Sequence, residues 1–296
     1  MNAQLTMRQF NEKFITSDDC LDYLWQMHFA DKPCHKCGLY DGFHKLPSRP
    51  AYQCQCGAQL YPLAGTPFHK STTDLRTWFL AIFFMTNTRS GMSALQFQRI
   101  SGVTYKTAWR IFKQVRLMMG DDGSPLNSDV EVDEAYMHPN PMKNTRLKQP
   151  PGKRFYDSQV IFGMVERGGR ARVKHVKSSG VRVLVPEIQK NIGKTATIYS
   201  DEYGSYRLLK RRGYQHETIN HSRQQYVVGH VHTQNVENFW SQFKRGIYGV
   251  YRHCDPKYLQ HYANEYAFRY SNRKSETPMF ELVMAKVTGL PGNTSR

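Results

Sequence analysis

Between Asp129 and Asp201 the chain changes period several times, and that order constrains the fold more than any single motif does. Val130, Val132 and Ala135 alternate with Glu131 and Asp133, the period-two pattern of a strand with one buried face. Gln159–Glu166 and Ala171–Val176 read as two further strands joined by the turn Arg167-Gly-Gly-Arg170, a hairpin. Val181–Ile192 carries a helical pattern, and Lys194–Ser200 reads as a buried strand that ends in Asp201. Beyond it, Tyr206–Arg212 reads as a basic helix, Glu217–His221 as a final strand, and Pro256–Arg273 as another helix.

Three strands in a meander, a helix, a fourth strand and further helices is the order of a ribonuclease H-like α/β domain. In that order Asp133 lies within the first strand and Asp201 at the end of the fourth, so neighbouring parallel strands bring the two carboxylates side by side. Strand alternation also sets Glu131 on the face of Asp133, while Glu134 adjoins it, so the inward acid is open among the three. Asp201 has the alternative role of capping the turn before Tyr203. The stretch NVENFWSQFKR, residues 235–245, forms a helix with Val236, Phe239, Trp240 and Phe243 as its apolar stripe. Glu237, Ser241 and Lys244 share the adjoining face, one and two turns apart. A solvated Glu–Lys helix face is the plain reading of that pair. Three acids clustered without a cation would repel and raise one another's pKa. Phosphodiester chemistry supplies a reason for such a cluster: carboxylates share two Mg²⁺ or Mn²⁺ ions that activate a nucleophile and stabilise a leaving oxyanion.

The first 120 residues read differently. Helices are expected over residues 5–30, with Ser17-Asp18-Asp19 as a cap. Cys34-His-Lys-Cys37-Gly38 is followed by Cys54-Gln-Cys56-Gly57. Two close cysteine pairs, each followed by glycine, suit the knuckles of a zinc ribbon with Cys34, Cys37, Cys54 and Cys56 as four thiolate ligands to a structural Zn²⁺. The second spacer has one residue where two are usual, which strains that knuckle. Cys20 and Cys254 read as ordinary buried thiols. Thr72–Thr86 is a core helix. Ser93–Arg99, a turn through Gly102 and a longer helix capped by Thr104 make a helix-turn-helix, with Lys106, Arg110 and Lys113 on the outer face for DNA. The domains are then 1–70, helices and zinc ribbon; 71–122, helix-turn-helix; and 123–296, the catalytic domain with a basic insertion at 138–155 and C-terminal helices.

Charge narrows the partner. The net +17 is uneven: residues 61–120 carry eight basic and one acidic side chain, whereas residues 1–60 carry six of each. An excess of one sign beside a basic larger domain is the footprint of a phosphate backbone. No run is long and apolar enough to span a bilayer, so a soluble cytoplasmic, nucleoid-associated bacterial protein is expected.

The motifs together resemble the acidic-triad (DDE) transposases of bacterial insertion sequences, and most closely insertion-sequence family 1595. The matching pieces are Cys34 to Cys56, Ala64-Gly-Thr-Pro-Phe-His-Lys70, Ser93-Ala-Leu-Gln, Tyr105-Lys-Thr-Ala-Trp109, Val132-Asp-Glu134, Ser200-Asp-Glu-Tyr203, and His232 to Ser241 with Lys244-Arg245. The resemblance implies that Asp133, Asp201 and Glu237 hold Mg²⁺ or Mn²⁺, and that Lys244 and Arg245 meet DNA near the cut. Some members carry Asn in the third position, and Asn235 lies two residues from Glu237. His230 and His232 are placed to assist the site or to hydrogen-bond structurally. Trp240, Tyr248, Tyr251, Tyr258 and Tyr262 are placed to pack in the core or flank DNA. The implied activity is cleavage at terminal inverted repeats and strand transfer on double-stranded DNA by at least a homodimer. A DNA-binding regulator with a vestigial triad, or a general ribonuclease H-like nuclease, are the alternatives.

Overall fold

The computed structural model describes residues 4–137, 158–219 and 232–289. The basic insertion expected at 138–155 and His230 lie outside the described residues. The chain divides into two compact units: residues up to Met118, joined by those from Ser275 on, and Met119–Lys274.

The first unit is helical around a small sheet. Helix α1 (Met7–Lys13) and helix α2 (Ser17–His28) both begin with a capping box, Thr6 with Gln9 and Thr16 with Asp19. The cap of α2 is therefore Thr16 rather than the Ser17-Asp18-Asp19 run, because a threonine in extended backbone can exchange bonds with the residue three ahead. Strands β1 (Phe43–Lys45), β2 (Tyr52–Cys54) and β3 (Gln59–Leu60) form an antiparallel sheet. Three helices follow: α3 (Leu75–Asn87), α4 (Ala94–Ser101) and α5 (Tyr105–Met118). Phe97 of α4 lies 5.1 Å from Phe112 of α5, and Phe84 of α3 lies 6.5 Å from Phe97, so one aromatic row joins the three helices.

The second unit is a five-stranded sheet. Its strands are β4 (Val130–Met137), β5 (Gln159–Glu166), β6 (Ala171–Val176), β7 (Thr197–Ser200) and β8 (Gln215–Thr218), in the order β6-β5-β4-β7-β8. The first three are antiparallel neighbours; β7 pairs parallel to β4, and β8 parallel to β7. Helix α6 (Val181–Asn191) packs Leu184, Val185 and Ile188 with Val130, Val132 and Phe162 on one face. On the other, helix α7 (Gln234–Gly246) and helix α8 (Leu259–Ser271) pack against Ala135, Met137, Ile161, Val165 and Val173. Helix α9 (Met279–Met284) belongs to the first unit, where Phe280 lies 5.7 Å from Phe14.

The segment read as a basic helix, Tyr206–Arg212, instead forms two short 3₁₀ turns, Gly204–Tyr206 and Lys210–Arg212. Tyr206 and Leu209 are its deeply buried residues, and Gly213, at φ 79°, ends the segment in the left-handed region. The last strand begins at Gln215, two residues before its expected start, and the end of the expected strand lies outside the described residues. Among the described residues no helix is long and apolar enough to cross a membrane.

Candidate functional site

The parallel pairing of β4 with β7 sets Val130 beside Ile198 and Glu131 beside Tyr199. Carrying that register two residues onward brings Asp133 level with Asp201, the residue that follows β7. Side chains alternate, so Glu131, Asp133 and Ala135 face α7, whereas Val132 and Glu134 face the α6 side. The apolar stripe of α7, Val236, Phe239, Trp240 and Phe243, is buried on that face. Glu237, Ser241 and Lys244 are exposed beside it.

Asp133 is fixed by α7 itself. The indole Nε1 of Trp240 donates to Asp133 Oδ2 at 3.0 Å. Gly163 sits opposite Asp133 on β5. A Cβ there would lie 2.6 Å from Trp240 Cζ2, so only glycine lets the ring reach this depth. That glycine stands in the interior of the VIFGMV strand, and such a residue is a sequence signal for close approach. Trp240 is thus a core residue, 5% exposed, not a stacking surface. Tyr248, Tyr251 and Tyr262 pack against the same cluster, half-buried.

The acids feel one another. Burial raises the Asp133 carboxyl to about 6, helped by the charges of Asp201 and Glu237 and opposed by the Glu134 backbone N–H and the Trp240 indole. Burial likewise raises Glu134 to about 7, with Asp133 and Asp201 adding to the rise and the Tyr206 hydroxyl opposing it. Asp201 Oδ1 accepts from the N–H of Tyr203 at 3.0 Å, so it closes the turn after β7 while standing at the same edge. Glu237 Oε1 accepts from Thr233 Oγ1 at 2.7 Å. Hard carboxylate oxygens fit a divalent cation, whose charge would offset the burial and neighbouring charge felt at Asp133. The three carboxylates do not close to the spacing of the cysteines described below, whose ligand atoms form the one such group among the described residues.

Glu131 has a different surrounding. It is 0% exposed and accepts from Arg167 Nε at 3.0 Å, from the N–H groups of Asn235 and Val236 at 2.7 and 3.1 Å, and from Asn235 Nδ2 at 2.8 Å. His232 Nδ1 lies 3.1 Å away. So Glu131 is bound into the start of α7, and Asn235 turns inward to it. The residues that hold this corner, Arg167 and Thr233, carried no sequence signal, since their contacts join segments far apart in the chain.

The cysteine centre lies in the first unit. Sγ of Cys34 is 3.6 Å from that of Cys56, and Sγ of Cys37 is 3.5 Å from that of Cys54. All four sulfurs lie within 4.8 Å of one another. A tetrahedron with Zn–S bonds near 2.3 Å has edges of about 3.8 Å, so soft sulfur donors at this spacing fit Zn²⁺ and leave no open position. Each pair is a knuckle: Gly38 N–H donates to Cys34 O and Gly57 N–H to Cys54 O, both at 2.8 Å. Gly38 and Gly57 have φ of 74° and 85°, the left-handed turn that glycine adopts freely. The one-residue spacer thus closes without displacing a sulfur. Cys20 and Cys254 are buried, and the Cys254 thiol donates to Asp255 O at 3.6 Å.

On α5, Lys106 is exposed and Lys113 half-buried, its ammonium 5.9 Å from the Trp109 ring. Arg110 leans back instead: Nη2 donates to Ser71 Oγ at 3.3 Å and the guanidinium lies 5.5 Å from the Trp78 ring. Lys244 and Arg245 are exposed in the last turn of α7, where positive charge also favours the helix dipole.

A family model for the ISXO2-like transposase domain matches residues 125–271. An uncharacterized protein in transposable element ISH50 of Halobacterium salinarum is 28% identical over 212 residues, covering 66% of this chain and 70% of that protein. No solved structure matches.

Proposed function

We propose, from the premise that the chain belongs through residues 125–271 to the ISXO2-like transposase family, that it cuts and rejoins DNA at the ends of an insertion element. The observation that carries this reading is the shared edge: Asp133 on β4 and Asp201 just past the end of β7, its parallel neighbour, with the charges of Asp201 and of Glu237 on α7 both felt at Asp133. The β6-β5-β4-β7-β8 order, a meander followed by two parallel strands, supports a ribonuclease H-like domain.

Asp133, Asp201 and Glu237 are the residues that would hold Mg²⁺ or Mn²⁺. Such ions, when bound, supply an activated oxygen nucleophile and charge stabilisation for in-line phosphoryl transfer. The chain's own contribution is to orient. Trp240 fixes one Asp133 oxygen, Thr233 holds one Glu237 oxygen, and the turn at Tyr203 sets Asp201. Lys244 and Arg245, two turns along α7, stand where phosphate oxygens beside the cut would lie. The first unit supplies recognition: α4 and α5 act as a helix-turn-helix with Lys106, Lys113 and Arg110, and the four cysteines bind a structural Zn²⁺. Residues 1–70, 71–122 and 123–296 then serve as zinc-ribbon, DNA-reading and catalytic segments, although the residues from Ser275 on belong to the first compact unit. Cutting two element ends requires at least two copies on paired DNA, in the nucleoid of a bacterial cytoplasm.

The test is a labelled duplex carrying the repeats that flank the gene, incubated with zinc-loaded protein and Mg²⁺ or Mn²⁺. Metal-dependent nicking at the repeat boundary, absent in Asp201→Asn, is the expected result. Repeat-specific binding without cutting would mean a regulator, and cutting indifferent to the repeats a general nuclease.

A further inference from the structure

Helix α7 starts without a side-chain cap from its own N-cap residue. Thr233 is the N-cap residue, yet its side chain makes no capping bond. A threonine in that position ordinarily accepts from the second or third helical N–H. Here those N–H groups, of Asn235 and Val236, go to Glu131 Oε2, a carboxylate from the central strand of the sheet. The substitution places a full negative charge at the positive end of the helix. It also releases the Thr233 hydroxyl, which turns to donate to Glu237 Oε1 at 2.7 Å.

The arrangement is neutralised and braced. Arg167 Nε pairs with Glu131 at 3.0 Å, and Arg167 Nη2 donates to the backbone oxygen of His232 at 2.9 Å, one residue before the cap. The Arg167 guanidinium stacks 3.8 Å from the ring of Tyr199, which faces Glu131 across the β4–β7 pairing. A fully buried carboxylate without such partners would cost more than it contributes. With them, the first turn of α7 is tied to the strand that also carries Asp133, two residues on.

We infer that Glu131 and Thr233 are positioning residues, which together set the Glu237 carboxylate against Asp133 and Asp201 for cation binding. The inference rests on the proposed metal role of Glu237. It also assigns Asn235: its amide is bonded to Glu131, so Asn235 anchors the helix and is not the third ligand.

The test measures Mn²⁺ binding by electron paramagnetic resonance on the zinc-loaded full chain, with thermal melting alongside. Thr233→Val keeps the shape and the Glu131 cap while removing the hydroxyl. It is expected to melt as the unaltered protein does and to bind Mn²⁺ about tenfold more weakly, the scale of loss when a group supporting a metal ligand is removed. Thr233→Ser restores the hydroxyl and the affinity. Glu131→Gln lowers both the melting temperature and the affinity. Unchanged affinity in Thr233→Val, or no recovery in Thr233→Ser, overturns the inference. Failure of the unaltered protein to bind Mn²⁺ overturns instead the metal reading beneath it, so the two failures are told apart.

Discussion

The indole of Trp240 reaches across the sheet to donate to Asp133 at 3.0 Å, so a core aromatic of α7 and a strand-borne acid act as one piece. The bond favours the ionised carboxylate, against the burial and the neighbouring charges that raise Asp133 to about 6. Trp240→Phe keeps most of the packing and removes the donor. Asp133 then becomes harder to ionise, its pKa rises, and a cation that needs the carboxylate must compete with the proton up to a higher pH. Mn²⁺ affinity measured against pH is expected to fall off near pH 6 in the unaltered protein and at higher pH in the variant. Coincident profiles would separate the indole from the ionisation of Asp133. The melting temperature falls too, since a hydrogen bond to a charged group is worth about 1.5–3 kcal/mol.

Gly163 is the complement of the same contact. A Cβ at this position would lie 2.6 Å from one ring carbon of Trp240 and 3.1 Å from the next. The ring must then lift, and with it the indole N–H. Gly163→Ala is expected to lose about 1–3 kcal/mol from overpacking, read by urea denaturation, and to shift the pH profile of Mn²⁺ binding in the same direction as Trp240→Phe. A stable variant with an unshifted profile would show that the helix accommodates the methyl group elsewhere.

The cysteine centre reports through a different aromatic. Trp25 of α2 stacks on Tyr52 with ring centroids 4.0 Å apart and an interplanar angle of 15°, and Tyr52 stands two residues before Cys54. If Zn²⁺ draws the four thiolates together, its removal lets them repel, and the small sheet that carries Tyr52 loses its closure. Chelation, or Cys56→Ser, is expected to lower the melting temperature and to move Trp25 emission to longer wavelength. A Trp25→Phe control should lack the emission change, and zinc analysis should fall from about one ion per chain to none. Emission unaffected by chelation would mean that the ribbon is held by its hydrophobic contacts alone.

How much of this was legible in the sequence depends on the range of the interaction. The stripe Val236, Phe239, Trp240 and Phe243 follows the helical period, so its burial could be read from spacing. The cysteine pairs with their glycines were legible for the same reason, because each knuckle is a local turn. The parallel alignment of Asp133 with Asp201 needed the strand order as well, and the change from period two to helix and back supplied it. Glu131 is the opposite case. Alternation placed it beside Asp133, but nothing nearby could show that its partners are N–H groups more than a hundred residues on. Tyr206–Arg212 was read as a helix because its composition suits one; it forms 3₁₀ turns that end where Gly213 turns left-handed at φ 79°.

The basic residues of α5 divide by geometry in a way their charge does not announce. Lys106 and Arg110 are both exposed, but Arg110 is bonded to Ser71 and lies over Trp78. If α5 lies along DNA, each phosphate neutralised releases condensed counterions, and the slope of log affinity against log salt changes by about 0.9 per contact. Lys106→Ala is therefore expected to flatten that slope by about one contact and to leave the unfolding free energy within about 0.5 kcal/mol of the unaltered protein. Arg110→Ala should do the reverse in large part: it removes the cation over the Trp78 face and a hydrogen bond to Ser71, losing about 1–2 kcal/mol of stability. Its salt slope should change less than that of Lys106→Ala. Equal slopes in the two variants, measured by fluorescence anisotropy on the same duplex, would place Arg110 on the phosphates despite its contacts with Trp78. Slopes unchanged in both would take α5 off the DNA altogether.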